Sequence, residues 1–107
     1  MLQGLKARLR GRGHRSVPRP ESRLKPARDV LGAERDGLIV LLDLRREVYL
    51  GLDEVGSAIW RAIEAGDRLH EIQLRVAAEF EAPAELIERD TARFVQDLAN
   101  RRLISLA

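Results

Sequence analysis

The feature that most constrains the fold is a change in the spacing of apolar residues at Gly51. Before it, short apolar runs alternate with turn residues, and Asp36 with Gly37 is a strong hairpin signal because both tolerate a positive φ. After it, apolar residues recur every three or four positions, which is the period of an amphipathic helix. We therefore expect strands first and helices second.

Three short strands are predicted, at about residues 30–35, 38–42 and 47–50. The turns between them are too brief for crossover connections, so the strands form an antiparallel meander. Three helices follow: Asp53 is a suitable N-cap for the first, Gly66 ends it, and Pro83 suits the first turn of the third. The predicted fold class is α+β, a three-stranded antiparallel sheet followed by three helices on one of its faces.

Charge divides the chain at residue 28. Residues 1–28 carry nine basic side chains and one acidic side chain, a net charge of +8, together with three glycines and three prolines. Residues 29–107 carry ten basic and sixteen acidic side chains, a net charge of −6. Because the first segment lacks an apolar pattern long enough to pack, we expect residues 1–28 to be a flexible basic extension and residues 29–107 to be the folded domain.

Composition argues against catalysis. The chain has no cysteine and two histidines, His14 in the extension and His70 away from the apolar stripe of its helix. One isolated histidine in the domain cannot define a metal site, and the serines lie in no nucleophile elbow. We expect a protein that is not an enzyme and uses no metal or cofactor. The absence of cysteines, of a membrane-spanning apolar run and of a secretory signal favours the cytoplasm.

The third predicted strand ends the meander, so one of its sides offers unpaired backbone N–H and C=O groups. Residues 47–50 contain neither proline nor lysine, the residues that commonly block such an edge. An unblocked edge beside a helical layer can accept an extended peptide as an added strand, with the third helix as the neighbouring wall. Two alternatives stay open: the edge is covered by the N-terminal extension, or it pairs with a second copy in a homodimer.

Three motifs follow one another along the predicted domain: GLIVLLD at residues 37–43, VYLGLD at 48–53 and GSAIW at 56–60. A closing helix with Asp90, Phe94 and Leu98 comes after them. In this order and spacing they resemble the PqqD-like proteins, also called RiPP recognition elements. The resemblance covers about residues 29–105 and implies a winged-helix-like fold without catalytic residues.

The same resemblance implies a function. The leader segment of a ribosomally made precursor peptide adds as a fourth strand beside the third helix, and the protein delivers it to a separate maturation enzyme. A free-standing chain favours a leader peptidase and cyclase of a lasso-peptide pathway over a radical-SAM enzyme. The implied peptide-binding residues are Glu47, Val48, Tyr49, Leu50 and Gly51 on the strand, and Asp90, Arg93, Phe94, Asp97 and Arg101 on the helix.

A nucleic-acid-binding protein is the rival prediction, because winged helices often bind DNA and residues 1–28 supply the charge. The third helix mixes acidic and basic side chains, however, and this is a poor surface for reading a DNA groove. Binding to nucleic acid would therefore depend on the basic extension and weaken steeply with salt.

Overall fold

The structure, a computed structural model, describes residues 17–106. Expectations about residues 1–16 lie outside the described residues. Within residues 17–106 the elements, in chain order, are β1 (Leu24–Pro26), β2 (Val30–Arg35), β3 (Leu38–Asp43), β4 (Val48–Gly51), α1 (Glu54–Glu64), α2 (Leu69–Phe80), α3 (Ala84–Asn100) and β5 (Ile104–Leu106). The α+β class is confirmed, with a three-stranded antiparallel sheet followed by three helices.

The three-stranded sheet has the order β2-β3-β4, and both pairs are antiparallel. Asp36 (φ 55°) and Gly37 (φ 84°) form the turn between β2 and β3, which confirms the hairpin. The register pairs Leu41 with Leu50 and Leu42 with Tyr49. Because successive side chains alternate between faces, Leu41 and Leu50 lie on the helical side while Leu42 and Tyr49 lie on the outer side.

The helix boundaries follow from local capping. The Asp53 side chain accepts a hydrogen bond from the Gly56 N–H at 2.8 Å, which satisfies a free donor at the start of α1. Gly66, with φ 85°, takes the left-handed conformation that ends this helix. At the start of α2, the Glu71 carboxylate accepts from the Arg68 N–H at 2.7 Å.

The core lies between the inner face of the sheet and the three helices. Trp60, Ile59 and Ile63 of α1 are fully buried there. Ser57 is buried among them, and its hydroxyl oxygen accepts a hydrogen bond from the Ile39 N–H at 2.8 Å. This bond fastens α1 to the middle strand, so the first turn of α1 has a fixed position relative to β4.

The predicted extent of the flexible extension is wrong at its C-terminal end. Residues 24–26 form β1, which pairs antiparallel with β5 from Leu24↔Leu106 to Pro26↔Ile104. Leu24 is 1% exposed, and the Ser22 carbonyl accepts from the Leu69 N–H at 3.0 Å. The pattern did not indicate this strand because three residues with one buried side chain show no apolar period.

Candidate functional site

A cleft of about 560 Å³ opens between β4, the N-terminal half of α1 and one face of α3. Its apolar lining is provided by Leu50, Leu52, Val55, Ile59, Ile87, Phe94 and Leu98. Its other lining residues are Gly51, Asp53, Gly56, Asp90, Thr91, Asp97 and Arg101. The cleft therefore has an apolar interior with charged side chains along its rim, as peptide and ligand sites commonly have.

The floor of the cleft depends on a close approach between α1 and α3 at Gly56. A Cβ placed on Gly56 would lie 3.4 Å from Cζ of Phe94 and 3.2 Å from the Asp53 Oδ1. The glycine thus lets the half-buried Phe94 ring rest on the first turn of α1. Gly56 belongs to the GSAIW motif, but its role at the floor depends on the packing of two helices and was not predicted.

Three carboxylates and one guanidinium lie along the rim. Asp53 is engaged as the N-cap of α1. Asp90 lies 3.8 Å from Nε of Arg89, an ion pair between two exposed side chains that contributes little to stability. Asp97 and Arg101 lie one helical turn apart at the C-terminal end of α3. The rim therefore presents both signs of charge to an occupant.

The free edge of β4 borders this cleft. The Leu52 N–H donates to the Ile39 carbonyl at 2.9 Å, so the backbone of Leu52 faces β3. Backbone groups alternate in direction along an antiparallel strand, which turns Val48 and Leu50 toward β3 and leaves Tyr49 and Gly51 facing outward. Within residues 17–106, no strand pairs with that side of β4. Tyr49 and Gly51 thus offer their N–H and C=O groups to an added strand.

The ten residues predicted as a peptide-binding set divide into two groups. Six of them line the cleft: Leu50, Gly51, Asp90, Phe94, Asp97 and Arg101. The other four, Glu47, Val48, Tyr49 and Arg93, lie outside its lining and are all exposed. The Tyr49 side chain is 79% exposed on the outer face of the sheet, away from the cleft. Only the backbone N–H and C=O groups of this residue lie along the free edge of β4. As contacts of a peptide, all ten stay a prediction.

The turn between β3 and β4 is stabilised by hydrogen bonds to the side chain of Asp43, which is 5% exposed. Its Oδ1 accepts the N–H groups of Arg45 and Arg46 at 3.1 and 3.2 Å, and its Oδ2 accepts from Nη1 of Arg46 at 2.7 Å. The side-chain hydrogen bond from Arg46 lowers the pKa of Asp43 below its ordinary value, and burial opposes it only in part. The carboxylate is therefore ionised at neutral pH.

The described part of the chain shows no metal-binding cluster: residues 17–106 bring together no group of three or more histidine, cysteine, aspartate or glutamate side chains suited to a metal ion. His70 instead has its Nδ1 2.8 Å from the Pro20 carbonyl at the surface. None of the helices between residues 17 and 106 combines the length and the apolar character that crossing a membrane requires.

An open sheet edge beside an apolar cleft offers both backbone partners and space for side chains. The family model described as coenzyme PQQ synthesis protein D (PqqD) matches residues 39–104, more than half of the chain. The chain belongs to this PqqD family.

Two solved structures share the fold. TbiB1 in complex with the TbiA(beta) leader peptide is 40% identical, with a TM-score of 0.71 over 75% of this chain and 93% of that chain. Lasso peptide synthetase B1 complexed with the leader peptide is 27% identical, with a TM-score of 0.66 over 78% of this chain and 96% of that chain. Both neighbours are therefore leader-peptide complexes.

A curated relative is similar over a shorter range. The PqqA binding protein of Rhizobium meliloti (strain 1021) is 34% identical over 63 residues, which are 59% of this chain and 64% of that protein. The chain thus spans less than two thirds of the length of this relative.

Proposed function

We propose that this chain is a non-catalytic binding protein that captures the leader segment of a ribosomally synthesised precursor peptide. The leader adds as a strand to the free edge of β4 and is presented to a maturation enzyme. The observation that carries the proposal is the outward-facing backbone of Tyr49 and Gly51 beside an apolar cleft. Its support from relatives is that both structural neighbours are complexes with leader peptides.

Backbone pairing supplies only part of the affinity. Each net hydrogen bond contributes about 0.5–1.5 kcal/mol, whereas ordering a flexible peptide costs about 2–5 kcal/mol or more. The remainder comes from guest side chains that enter the cleft. Alternate residues of the added strand point toward the helices, and burying one large apolar side chain there contributes about 1.5–3 kcal/mol. The leader therefore needs apolar residues at positions i and i+2 or i+4.

The favoured partner enzyme is a leader peptidase and cyclase of a lasso-peptide pathway. The support is that one neighbour is described as a lasso peptide synthetase B1. The PqqA-binding relative supports the second option, a radical-SAM enzyme. Pull-down with the tagged full chain from its native cells separates the two by the enzyme that is recovered with the precursor.

Amide hydrogen exchange, followed by NMR on the full chain, tests the strand addition. Synthetic TbiA(beta) leader peptide and PqqA are the probes. We expect the amides of Tyr49 and Gly51 to become protected on binding, because they gain acceptors on the added strand. The amides of Val48 and Leu50 are the matched control: they face β3 already, so their exchange changes less.

Two outcomes would contradict the proposal. Binding that leaves Tyr49 and Gly51 unprotected overturns strand addition at β4, and failure of both peptides to bind overturns leader capture. A DNA duplex titrated at low and high salt is the control for the nucleic-acid alternative. Peptide-independent DNA binding that protected the same two amides would favour that alternative.

A further inference from the structure

One side chain connects the strand side of the cleft to its helix side near Arg101. The Arg46 Nη1 atom donates to Oδ2 of Asp43 at 2.7 Å and to the backbone carbonyl of Arg101 at 3.1 Å. Arg46 lies in the turn that leads into β4, and Arg101 is the C-cap residue of α3. A single nitrogen atom thus joins the strand wall to the helix wall.

The strand side of this link is rigid. Asp43 ends β3 and pairs in register with Val48, the first residue of β4. Its carboxylate also holds the N–H groups of Arg45 and Arg46, and its carbonyl accepts from the Glu47 N–H at 2.7 Å. The turn is therefore fixed on one buried carboxylate, and Arg46 leaves it in a defined direction toward α3.

The helix side has a physical reason to accept a cation. The last carbonyl groups of a helix lack partners within the helix and carry its partial negative charge. The Arg101 carbonyl lies at this end of α3, and Arg101 itself lines the cleft. The Arg46 guanidinium therefore donates a hydrogen bond to the Arg101 carbonyl and also complements the negative end of the helix dipole. This contact holds the C-terminal end of α3 next to the turn that precedes β4.

We propose that Arg46 is a positioning residue for peptide capture, which holds the β3–β4 turn against the C-terminal end of α3. It keeps the β4 edge and the α3 wall at the separation that an added strand requires. Arg46 does not line the cleft. Its effect on binding acts through preorganisation, since a cleft that is fixed before binding loses less conformational freedom when the peptide enters. This inference rests on the function proposed above.

Arg61 provides a matched control. Its Nη2 atom donates to the Gly37 carbonyl at 2.9 Å and lies 3.7 Å from Oε1 of Glu34. Its side chain is 44% exposed, against 47% for Arg46. Arg61 therefore also donates to a backbone carbonyl at a similar exposure, although its carboxylate neighbour is exposed and too distant for a hydrogen bond. It joins α1 to the β2–β3 turn and does not line the cleft.

The experiment compares Arg46→Met, Arg46→Lys and Arg61→Met in the full chain. Fluorescence anisotropy with labelled TbiA(beta) leader peptide gives the affinity, and urea unfolding gives the stability. We expect Arg46→Met to weaken binding about three- to tenfold. This is the loss of affinity that follows if only about a tenth to a third of the molecules have the cleft in the conformation that binds the peptide. Arg61→Met leaves the affinity within about twofold of the wild type, because a link outside the cleft leaves the competent fraction unchanged.

Arg46→Lys separates positioning from general stability. One nitrogen makes both contacts, so a lysine ammonium with its three donors can serve both acceptors, although it lacks the planar fork. We expect it to recover part of the lost affinity. We also expect faster amide exchange around residues 101–103 in Arg46→Met and not in Arg61→Met. If Arg46→Met does not fold, the leader affinity and the stability of Arg46→Lys and Asp43→Asn are compared with those of Arg61→Met instead.

Two results would overturn the positioning role: Arg46→Met that binds as tightly as the wild type, or Arg46→Met and Arg61→Met that lose affinity equally. These results are distinct from failure of the proposed function. In that case the wild-type chain itself does not bind the leader peptide.

Discussion

The two edges of the three-stranded sheet differ in what the helices leave beside them. At the β2 edge, α1 packs directly on the strand: a Cβ placed on Gly32 would clash with Nε1 of Trp60. At the β4 edge, the inward-facing Leu50 instead lines the cleft that lies between this strand and α3. Gly32 is thus required by a close contact with α1, whereas the inner side of β4 borders an open cleft.

Neither strand contains proline, and both lie at the edge of the described sheet. The strand sequences alone therefore do not distinguish the two edges. The helical layer does, because α1 lies against β2 through the fully buried Trp60 and leaves the cleft beside β4. An added strand needs space for its side chains as well as partners for its backbone, and the β4 edge offers both.

The largest effect on stability is expected from Ile59, which lies 2% exposed beneath the cleft. Ile59→Ala removes buried methyl groups and leaves a cavity, which should lower the free energy of unfolding by about 2–5 kcal/mol. Phe94→Ala is the contrasting variant: its ring is half-buried, so it should cost less stability and weaken leader binding instead. Urea unfolding and peptide anisotropy measure the two effects.

Loss of binding in Phe94→Ala that is fully explained by unfolding would contradict this division. The same holds for an Ile59→Ala variant as stable as the wild type. The first result would mean that Phe94 acts on binding only through stability, and the second that Ile59 contributes little to the core.

A pair of glycine variants compares the packed inner face of the sheet at Gly32 with its open outer face at Gly51, which lies on the same side as Tyr49. Gly32→Val forces a side chain into the buried Trp60 ring, and such overpacking should lower the free energy of unfolding by about 1–3 kcal/mol. Gly51→Val enters open space, so its effect should stay within about 0.5 kcal/mol. Urea unfolding of both variants measures the difference, and equal effects would contradict the close contact between Gly32 and Trp60.

The sequence predicted those parts of the fold that local chemistry determines. Asp36 and Gly37 specify the hairpin because few residues accept positive φ, and Asp53 caps α1 because a short carboxylate reaches the free N–H groups. The spacing of apolar residues predicted the helices. Each of these signals lies within a few residues of the element that it specifies.

The parts that were not predicted depend on contacts between distant segments. β1 has three residues, and its one buried side chain gives no pattern to detect. The bond from Arg46 to the Arg101 carbonyl joins positions 55 residues apart, and its acceptor is a backbone atom that any residue could supply. The sequence therefore predicted a strand edge and a helix as the candidate site, and this stays a prediction, whereas the hydrogen bond that links the two was not predicted.

Acid should weaken the turn that precedes the open edge. The pKa of Asp43 is lowered by the hydrogen bond from Arg46, so this group stabilises the folded state above its unfolded pKa of about 4. That contribution is lost as the pH falls through the depressed folded value. We expect Asp43→Asn to reduce the stability difference between pH 7 and pH 3 in urea unfolding.

Glu71 is the control for this pH dependence. Its pKa is also lowered, first by the hydrogen bond from the Arg68 N–H, but it caps α2 away from the β4 edge. Glu71→Gln should likewise flatten the acid side of the curve and leave leader binding unchanged, whereas Asp43→Asn weakens binding. If the free energy of unfolding depends on pH in the same way in Asp43→Asn and the wild type, the Asp43 carboxylate does not contribute to the acid sensitivity of the fold.

The smallest effect on leader binding is expected from removal of the Tyr49 side chain. Tyr49→Ala keeps the backbone groups at the open edge and removes only the side-chain contacts. Its ring lies on the outer face beside Leu42, so it can meet only those leader side chains that point away from the cleft. Such a cross-strand pair contributes about 0.2–1 kcal/mol, and Tyr49→Ala should therefore weaken binding no more than about fivefold. Peptide anisotropy measures this loss. A loss as large as that of Phe94→Ala would place the main side-chain contacts on the outer face of the sheet, because the backbone groups of residue 49 are the same in both forms.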